Sequence, residues 1–309
     1  MRPVFGEVVT ASDVERLTSE QGEKAFVRLC ATLVASAIGE AVGDFAVPNW
    51  TERINVADRG VDAEYTAPVT MLEAGGLVGP GRNVYQVKWR RLGTRPARPV
   101  VRELQRTVTG ALKDLLSRDG NLPDRYILLV NVDLSRADRA TLSQALRKDC
   151  PEFNDRPLII WGAAEIAAAL NSHPHIRHAF FSEGVFSTLE TASEELRARY
   201  EAVGWSDFVG YEEHVRAVKE FVTKPNGGLL VVTGLAYSGK TRTVIEALKD
   251  QEARVIWASD PSVVVEDHFR VLDTSSGRVL VVVDNCDVQQ LEALQRWALS
   301  RTHLKTIMI

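Results

Sequence analysis

Residues 234–241 read GLAYSGKT, two glycines, a lysine and a hydroxyl at the spacing of a phosphate-binding loop. In such a loop the backbone N–H groups of Gly234, Ser238 and Gly239 converge on phosphates together with the N-terminus of the next helix. Lys240 reaches the β/γ-phosphates, and the Thr241 hydroxyl binds Mg²⁺. The flanks suit the motif: residues 229–232 (LLVV) read as a buried parallel strand and residues 243–249 as a helix. A chance Gly/Ser loop ahead of a helix is the plainer reading, and these flanks argue against it. Residues 277–284 (GRVLVVVD) add a β-branched run ending in an acid, which is how a central strand carries a carboxylate to the ligand-binding edge of a parallel sheet. There Asp284 would hold Mg²⁺ through water, and Asp287 is a candidate for orienting an attacking water.

A second group lies upstream. Two strands are expected, over 60–65 and 83–89, and alternation sorts the second into Tyr85, Val87 and Trp89 on one face and Val84, Gln86 and Lys88 on the other. Asp62 and Glu64 share a face of the first strand. A carboxylate pair beside a Gln/Lys pair is a poor way to build a core, because buried charge must be compensated. Ahead of them, residues 23–37 form an amphipathic helix with the stripe Phe26, Leu29, Cys30, Leu33, Val34 and Ala37, capped by Ser19 and carrying Glu23 at its N-terminal end. From the second strand onward Arg82, Lys88, Arg90, Arg91, Arg95, Arg98, Arg102 and Arg106 crowd a segment whose single acid is Glu103. That is a local footprint for a phosphate backbone. The plainer reading, a solvated strand-to-helix loop, loses ground because the run adjoins Asp62, Gln86 and Lys88.

Composition bounds these readings. A chain of 309 residues, 45% apolar and 25% charged, supports two domains with cores of their own. The net charge of −4 excludes a globally basic nucleic-acid binder, so such binding must be local. Cys30, Cys150 and Cys286 have neither metal nor redox spacing, which fits a reducing, cytoplasmic setting. No run reaches membrane-spanning length and no signal peptide opens the chain, so no membrane partner is expected. His173, His175 and His178 read as a helix end broken by Pro174 in preference to a metal site, since no Cys or acid sits beside them.

The elements that must position these residues alternate. A helix over 100–117, a strand over 126–132, a helix over 137–148, a strand over 158–161 and a helix over 164–170 complete an α/β sandwich closing near residue 182. A charge-rich helix over 190–202, with Glu195, Arg197, Arg199 and Glu201 on its exposed side, reads as a linker spanning 183–206. From 207 the pattern restarts: a helix over 212–222, the phosphate-loop unit, strands over 255–258 and 278–284, a helix over 288–299 and a strand over 305–309. A phosphate-loop domain normally continues into further strands and a C-terminal subdomain. The chain is therefore expected to be cut short, binding ATP without turning it over independently.

The order of Glu23 helix, Asp62 strand, Gln86-Val87-Lys88 strand and helix resembles the PD-(D/E)XK nuclease superfamily, in its Mrr-like branch where Gln replaces the second acid, over roughly residues 15–182. The resemblance implies a restriction-endonuclease-like α/β sandwich over 1–182 in which Asp62 ligates Mg²⁺, Gln86 completes or orients the metal shell, Lys88 stabilises charge on the phosphate or positions the water, and Glu23 assists. Double-stranded DNA would run along Arg90, Arg91, Arg95 and Arg98. Phe208-Val209-Gly210-Tyr211-Glu212 followed by a helix, the loop and VVVDNCD resembles the opening of STAND-class signal-transducing ATPases, here a partial P-loop NTPase domain over 207–309. Tyr211 stands where that family often has Arg. The fusion is similar to antiviral STAND proteins, whose C-terminal part recognises phage proteins and drives oligomerisation. The resemblance implies a Mg²⁺-dependent DNA endonuclease gated by ATP, active as a homo-oligomer and triggered by a phage protein. The competing expectation is an ATP-switched regulator whose first domain is a non-catalytic DNA-binding or protein-interaction module.

Overall fold

A computed structural model describes residues 8–42, 49–50, 62–69, 76–90, 97–119, 122–181, 185–200, 211–224, 226–235, 238–273, 279–301 and 304–309. They form two compact units, Val9–Asn171 and Ser172–Ile309. Both are α/β; strand pairing is parallel throughout the second sheet and half parallel, half antiparallel in the first.

The first unit is built on a five-stranded sheet ordered β1 (Asn49–Trp50), β2 (Ala63–Ala67), β3 (Gly81–Lys88), β4 (Arg125–Val130) and β5 (Leu158–Trp161). The first three strands are antiparallel, and β3, β4 and β5 are parallel. Every residue of β4 is buried. Its unbroken apolar run is what a strand covered on both faces requires. On one face α2 (Ala97–Asp119) and α3 (Arg136–Asp149) set Leu104, Val108, Leu112, Leu142 and Leu146 against Val84 and Leu128. Tyr85 and Val87 alternate to the other face and are buried too. α3 starts at a capping box between Ser135 and Asp138, and α4 (Ala163–Ser172) ends the unit.

Two boundaries differ from expectation here. The first helix, α1, runs Ala11–Val42 and is broken at Gly22 (φ 82°, ψ −168°), so its second half starts from that glycine and Ser19 lies inside the helical run. β2 begins at Ala63, with Asp62 in the bend ahead of it; residues 60 and 61 lie outside the described residues.

The second unit has a parallel sheet ordered β6 (Gly228–Val231), β9 (Lys305–Met308), β8 (Leu280–Val283) and β7 (Val255–Ala258). β8 shows how a three-layer core arises: Leu280 and Val282 point into one cluster with α6 (Leu189–Tyr200), α7 (Glu212–Thr223) and α8 (Lys240–Leu248). Val281 and Val283 point into the other, with α9 (Glu266–Asp273) and α10 (Val288–Leu299). α5 (Pro174–Phe181) packs with β7 and α9 in this unit, so it does not close the first one. The chain breaks helix at His173 and restarts with Pro174 in the first helical position, which suits a residue lacking an N–H.

α6 is also not a solvated linker. Leu189 and Ala192 are buried with Val244 and Leu248, an apolar stripe that the surrounding charges conceal in the sequence. β6 was expected to be buried, yet Leu229 and Leu230 are half-buried and Val231 exposed, because the strand is at the sheet edge and pairs only with β9 among the described residues. Among the described residues no helix is long and apolar enough to cross a membrane.

Candidate functional site

The phosphate loop joins β6 to α8, with residues 236 and 237 outside the described residues. Its glycines are required by backbone geometry. Gly234 and Gly239 have φ of 155° and 82°, and a Cβ on Gly234 would stand 3.1 Å from Ser238 Oγ. α8 starts directly after Gly239, whose carbonyl accepts from both the N–H and the hydroxyl of Thr243, each at 2.9 Å. Lys240 folds back over the loop, donating to the carbonyls of Gly234 at 3.0 Å and Leu235 at 2.9 Å. The Tyr211 ring lies 3.8 Å from where a Cβ of Gly239 would be. Residues 208–210, expected to precede it in the nucleotide-contacting phrase, lie outside the described residues.

At the end of β8, Asp284 accepts from the Thr241 hydroxyl at 3.2 Å although 43 residues separate them. Asn285 N–H donates to the same Oδ1 at 2.9 Å. Burial pushes the Asp284 carboxyl above its ordinary range; these two hydrogen bonds, and the charges of Arg199 and Lys240, pull the other way. The strand lying between β6 and β8 is β9, the last of the chain, and not β7, which precedes β8 in sequence. Asp287 has a structural duty: it is the N-cap of α10, its carboxylate accepting from Gln290 N–H at 2.8 Å while the Gln290 side chain accepts from Asp287 N–H at 3.0 Å. The capping box engages Oδ1 of the acid that the sequence offers for orienting water. Arg199 is exposed on α6, as the sequence predicts.

In the first unit Asp62 Oδ2 accepts from Val87 N–H at 2.6 Å, and Asp62 N–H donates to the Tyr85 carbonyl at 3.0 Å. The carboxylate is thus fastened to the residue between Gln86 and Lys88. Gln86 is fully buried, its Oε1 accepting from the Tyr126 hydroxyl at 2.5 Å, and its Nε2 has no partner among the described residues. Burial and the Asp62 charge together push the Tyr126 phenol and the Cys30 thiol well up, so Asp62 lies near both. Lys88 is half-buried at the end of β3, opposite Val130. Glu64 turns away from this group into an ion pair with Arg82 at 2.6 Å.

Glu23 stands just past the Gly22 break, seven residues and so about 10 Å along the helix from Cys30. Among the described residues it makes no hydrogen bond or ion pair with Asp62, Gln86 or Lys88. Of the four basic residues assigned to nucleic acid, Arg91 and Arg95 lie outside the described residues and Arg98 is in the first turn of α2. Arg90 is held by its backbone to Asn131 (2.7 and 2.8 Å), and its guanidinium lies 3.6 Å from Glu103 and 3.4 Å from Thr107. Part of its charge is therefore already answered. Arg102 and Arg106, one turn apart on α2, are exposed.

No family model matches the sequence, and no curated protein or solved structure matches it. The assignment rests on these residues alone.

Metal fit differs between the two places. Among the described residues no three His, Cys, Asp or Glu side chains come together as a metal cage. Mg²⁺ does not need one, since it is commonly held by one or two carboxylates, waters and substrate phosphates. Thr241 with Asp284 meets that requirement. In the first unit Asp62 offers one anionic ligand, engaged by Val87 N–H, and Gln86 one neutral oxygen, engaged by Tyr126.

Proposed function

We propose that the chain joins an ATP-binding switch of the STAND type to a Mg²⁺-dependent DNA endonuclease of the PD-(D/E)XK type, an arrangement that would serve antiphage defence. The switch reading is supported by Lys240, Thr241 and Asp284 meeting at the C-terminal edge of a parallel sheet, where such folds bind ligands. The observation that carries the nuclease reading is the 2.6 Å bond from Val87 N–H to Asp62, which ties the acid of one strand to the Gln-x-Lys of the next. Mg²⁺ bound by Asp62 and Gln86 would neutralise charge on a phosphodiester. Lys88, half-buried and two residues beyond Gln86, would add a fixed cation against the pentavalent transition state. Exposed Arg102 and Arg106, with the basic residues before α2, would carry the DNA backbone.

One observation favours the other reading, a non-catalytic first domain in an ATP-switched regulator: Gln86 is fully buried and already bonded by Tyr126. Supercoiled plasmid separates the two. With Mg²⁺, ATP and activated protein, the nuclease reading gives nicked circles that Lys88→Ala abolishes while DNA retention in a gel shift persists. Plasmid retained by the wild type and never nicked assigns the first unit to binding. A single site nicks, and two protomers would be needed to break both strands.

A further inference from the structure

We propose that the outer side of α2, with the end of α3, is a docking surface for the phosphate backbone of duplex DNA, separate from the place where Asp62, Gln86 and Lys88 meet. It takes further the reading of Arg102 and Arg106 as backbone contacts and rests on that part of the proposed function alone, since it requires no cleavage. At about 100° per residue, Val101, Leu104, Val108, Leu112 and Leu115 form the side of α2 that is buried on the sheet. Arg102, Arg106 and Lys113 fall on the opposite side and are exposed. From Arg102 to Lys113 the helix runs about 16 Å, room for several phosphates of one strand, which follow at about 3.4 Å of duplex axis. α2 covers the sheet face that carries Val84 and, by alternation, Gln86 and Lys88. A ligand on its outer side therefore stands a helix thickness, about 10 Å, away from them.

Asp149 joins the two helices, its carboxylate accepting from Gln105 Nε2 and Thr109 Oγ1, each at 3.0 Å. Lys148, exposed in the last turn of α3, is thereby brought alongside the stripe. Arg82, Arg90, Arg139 and Arg156 of this unit are each paired with an acid. Among the described residues Arg102, Arg106, Lys113 and Lys148 have no side-chain ion pair or hydrogen bond. The nearby carboxylates are engaged, Glu103 by Arg90 and Asp149 by α2, which leaves Asp114 at the edge of the stripe. Gly110 lies between Arg106 and Lys113 on the exposed side, where a Cβ would meet nothing within 4 Å. Packing within the protein gives no reason for a residue that costs a helix about 1 kcal/mol against Ala, whereas close approach of a ligand backbone does. Among the described residues no large apolar side chain is exposed on α2 or α3, so the surface lacks the anchor of a protein interface and the apolar face of a membrane-surface helix. A row of unanswered cations suits a polyanion with evenly spaced charges.

The test is fluorescence anisotropy of a labelled duplex titrated with the full chain in EDTA across a salt series. Arg102→Ala with Arg106→Ala should weaken binding at least about tenfold at about 0.1 M salt and reduce the slope of log K on log salt by about 2, equally for unrelated sequences. Lys113→Ala with Lys148→Ala should do the same. Asp114→Asn should tighten binding, and Lys249→Ala, which removes a paired cation of the second unit, should change neither affinity nor slope. Undiminished binding in both double variants overturns the proposal and leaves the DNA to the basic residues before α2. A wild type that does not bind duplex overturns the DNA-binding part of the proposed function as well. If the double variants lose sedimentation with phosphatidylserine vesicles while duplex binding is unchanged, the partner is an anionic lipid surface and the proposal fails. Thermal melting confirms that each variant is folded, and should an Ala pair unfold, the same positions changed to Gln decide.

Discussion

The Thr241 hydroxyl donates to the Asp284 carboxylate at 3.2 Å, fastening the first turn of α8 to the end of β8. Each group is thereby held where a shared cation would need it. The cost falls on Asp284, which is buried and whose carboxyl is pushed upward as a result.

That cost gives the first prediction. A carboxylate whose folded pKa lies above the unfolded value favours folding when protonated, so at neutral pH its ionised form counts against stability. Asp284→Asn should raise the thermal midpoint of nucleotide-free protein by a few degrees, about 1 kcal/mol. It should also weaken Mg·ATP binding at least about tenfold, since the neutral amide serves the cation poorly. The stability gain should shrink in melts run at acid pH, where Asp284 is itself protonated. A gain that stays constant with pH would mean that the charge is not its cause.

Lys305 carries the second. Although 1% exposed, its ammonium donates to the carbonyls of Phe221 at 2.9 Å, Val222 at 2.5 Å and also Lys224, capping the C-terminal end of α7 from strand β9. Cations suit that end of a helix. Lys305→Met keeps the stem and removes the donors, and should cost about 2–4 kcal/mol in urea unfolding. A loss below about 0.5 kcal/mol would show that water serves those carbonyls equally well.

Which parts of this fold could be read beforehand follows from how far along the chain the deciding contacts reach. β7 and α10 fall where local pattern places them, because an apolar run bounded by turn residues and a helix opened by its own capping box are decided within a few residues. The packing of α6 was misjudged, and the cap made by Lys305 was not foreseen, because the partners are far away: charged residues around Leu189 and Ala192 conceal a stripe that packs on α8. A lysine opening a strand gives no sign of the helix end it caps, more than 80 positions earlier. In the candidate sites Asp62, Gln86, Lys88 and Thr241 were legible by residue type and spacing. What spacing does not encode is the direction of a side chain, as with Gln86 toward Tyr126, Glu64 toward Arg82 and Asp287 toward its own helix.

His178 supplies the third prediction. Burial, aided by the charges of Arg177 and His268, lowers its pKa from 6.5 to about 3. A base held neutral in the fold binds its proton more readily when unfolded, so its stabilising contribution is full above pH 6.5 and is lost as pH falls toward 3. In that window each pH unit should remove about 1.4 kcal/mol on account of this one group. His178→Leu should flatten the acid limb in urea titrations between pH 7 and 4.5. An unchanged slope would assign the acid sensitivity to other groups.

The last prediction concerns Tyr126, whose hydroxyl donates to Gln86 Oε1 at 2.5 Å where both side chains are fully buried. Tyr126→Phe keeps the ring that packs against Phe153 and removes only the donor. Gln86 then loses the bond from Tyr126 that orients its amide, which should cost about 1–3 kcal/mol of stability. If Gln86 serves the metal through its second lone pair, losing that orientation should also raise the Mg²⁺ needed for half-maximal plasmid nicking about tenfold, in the manner of outer-shell partners of metal ligands. The titration should be run well below the melting temperature of the variant, so that the two effects separate. A variant that is less stable but has an unshifted Mg²⁺ requirement would place Gln86 in the core and leave Asp62 as the metal's sole side-chain ligand there.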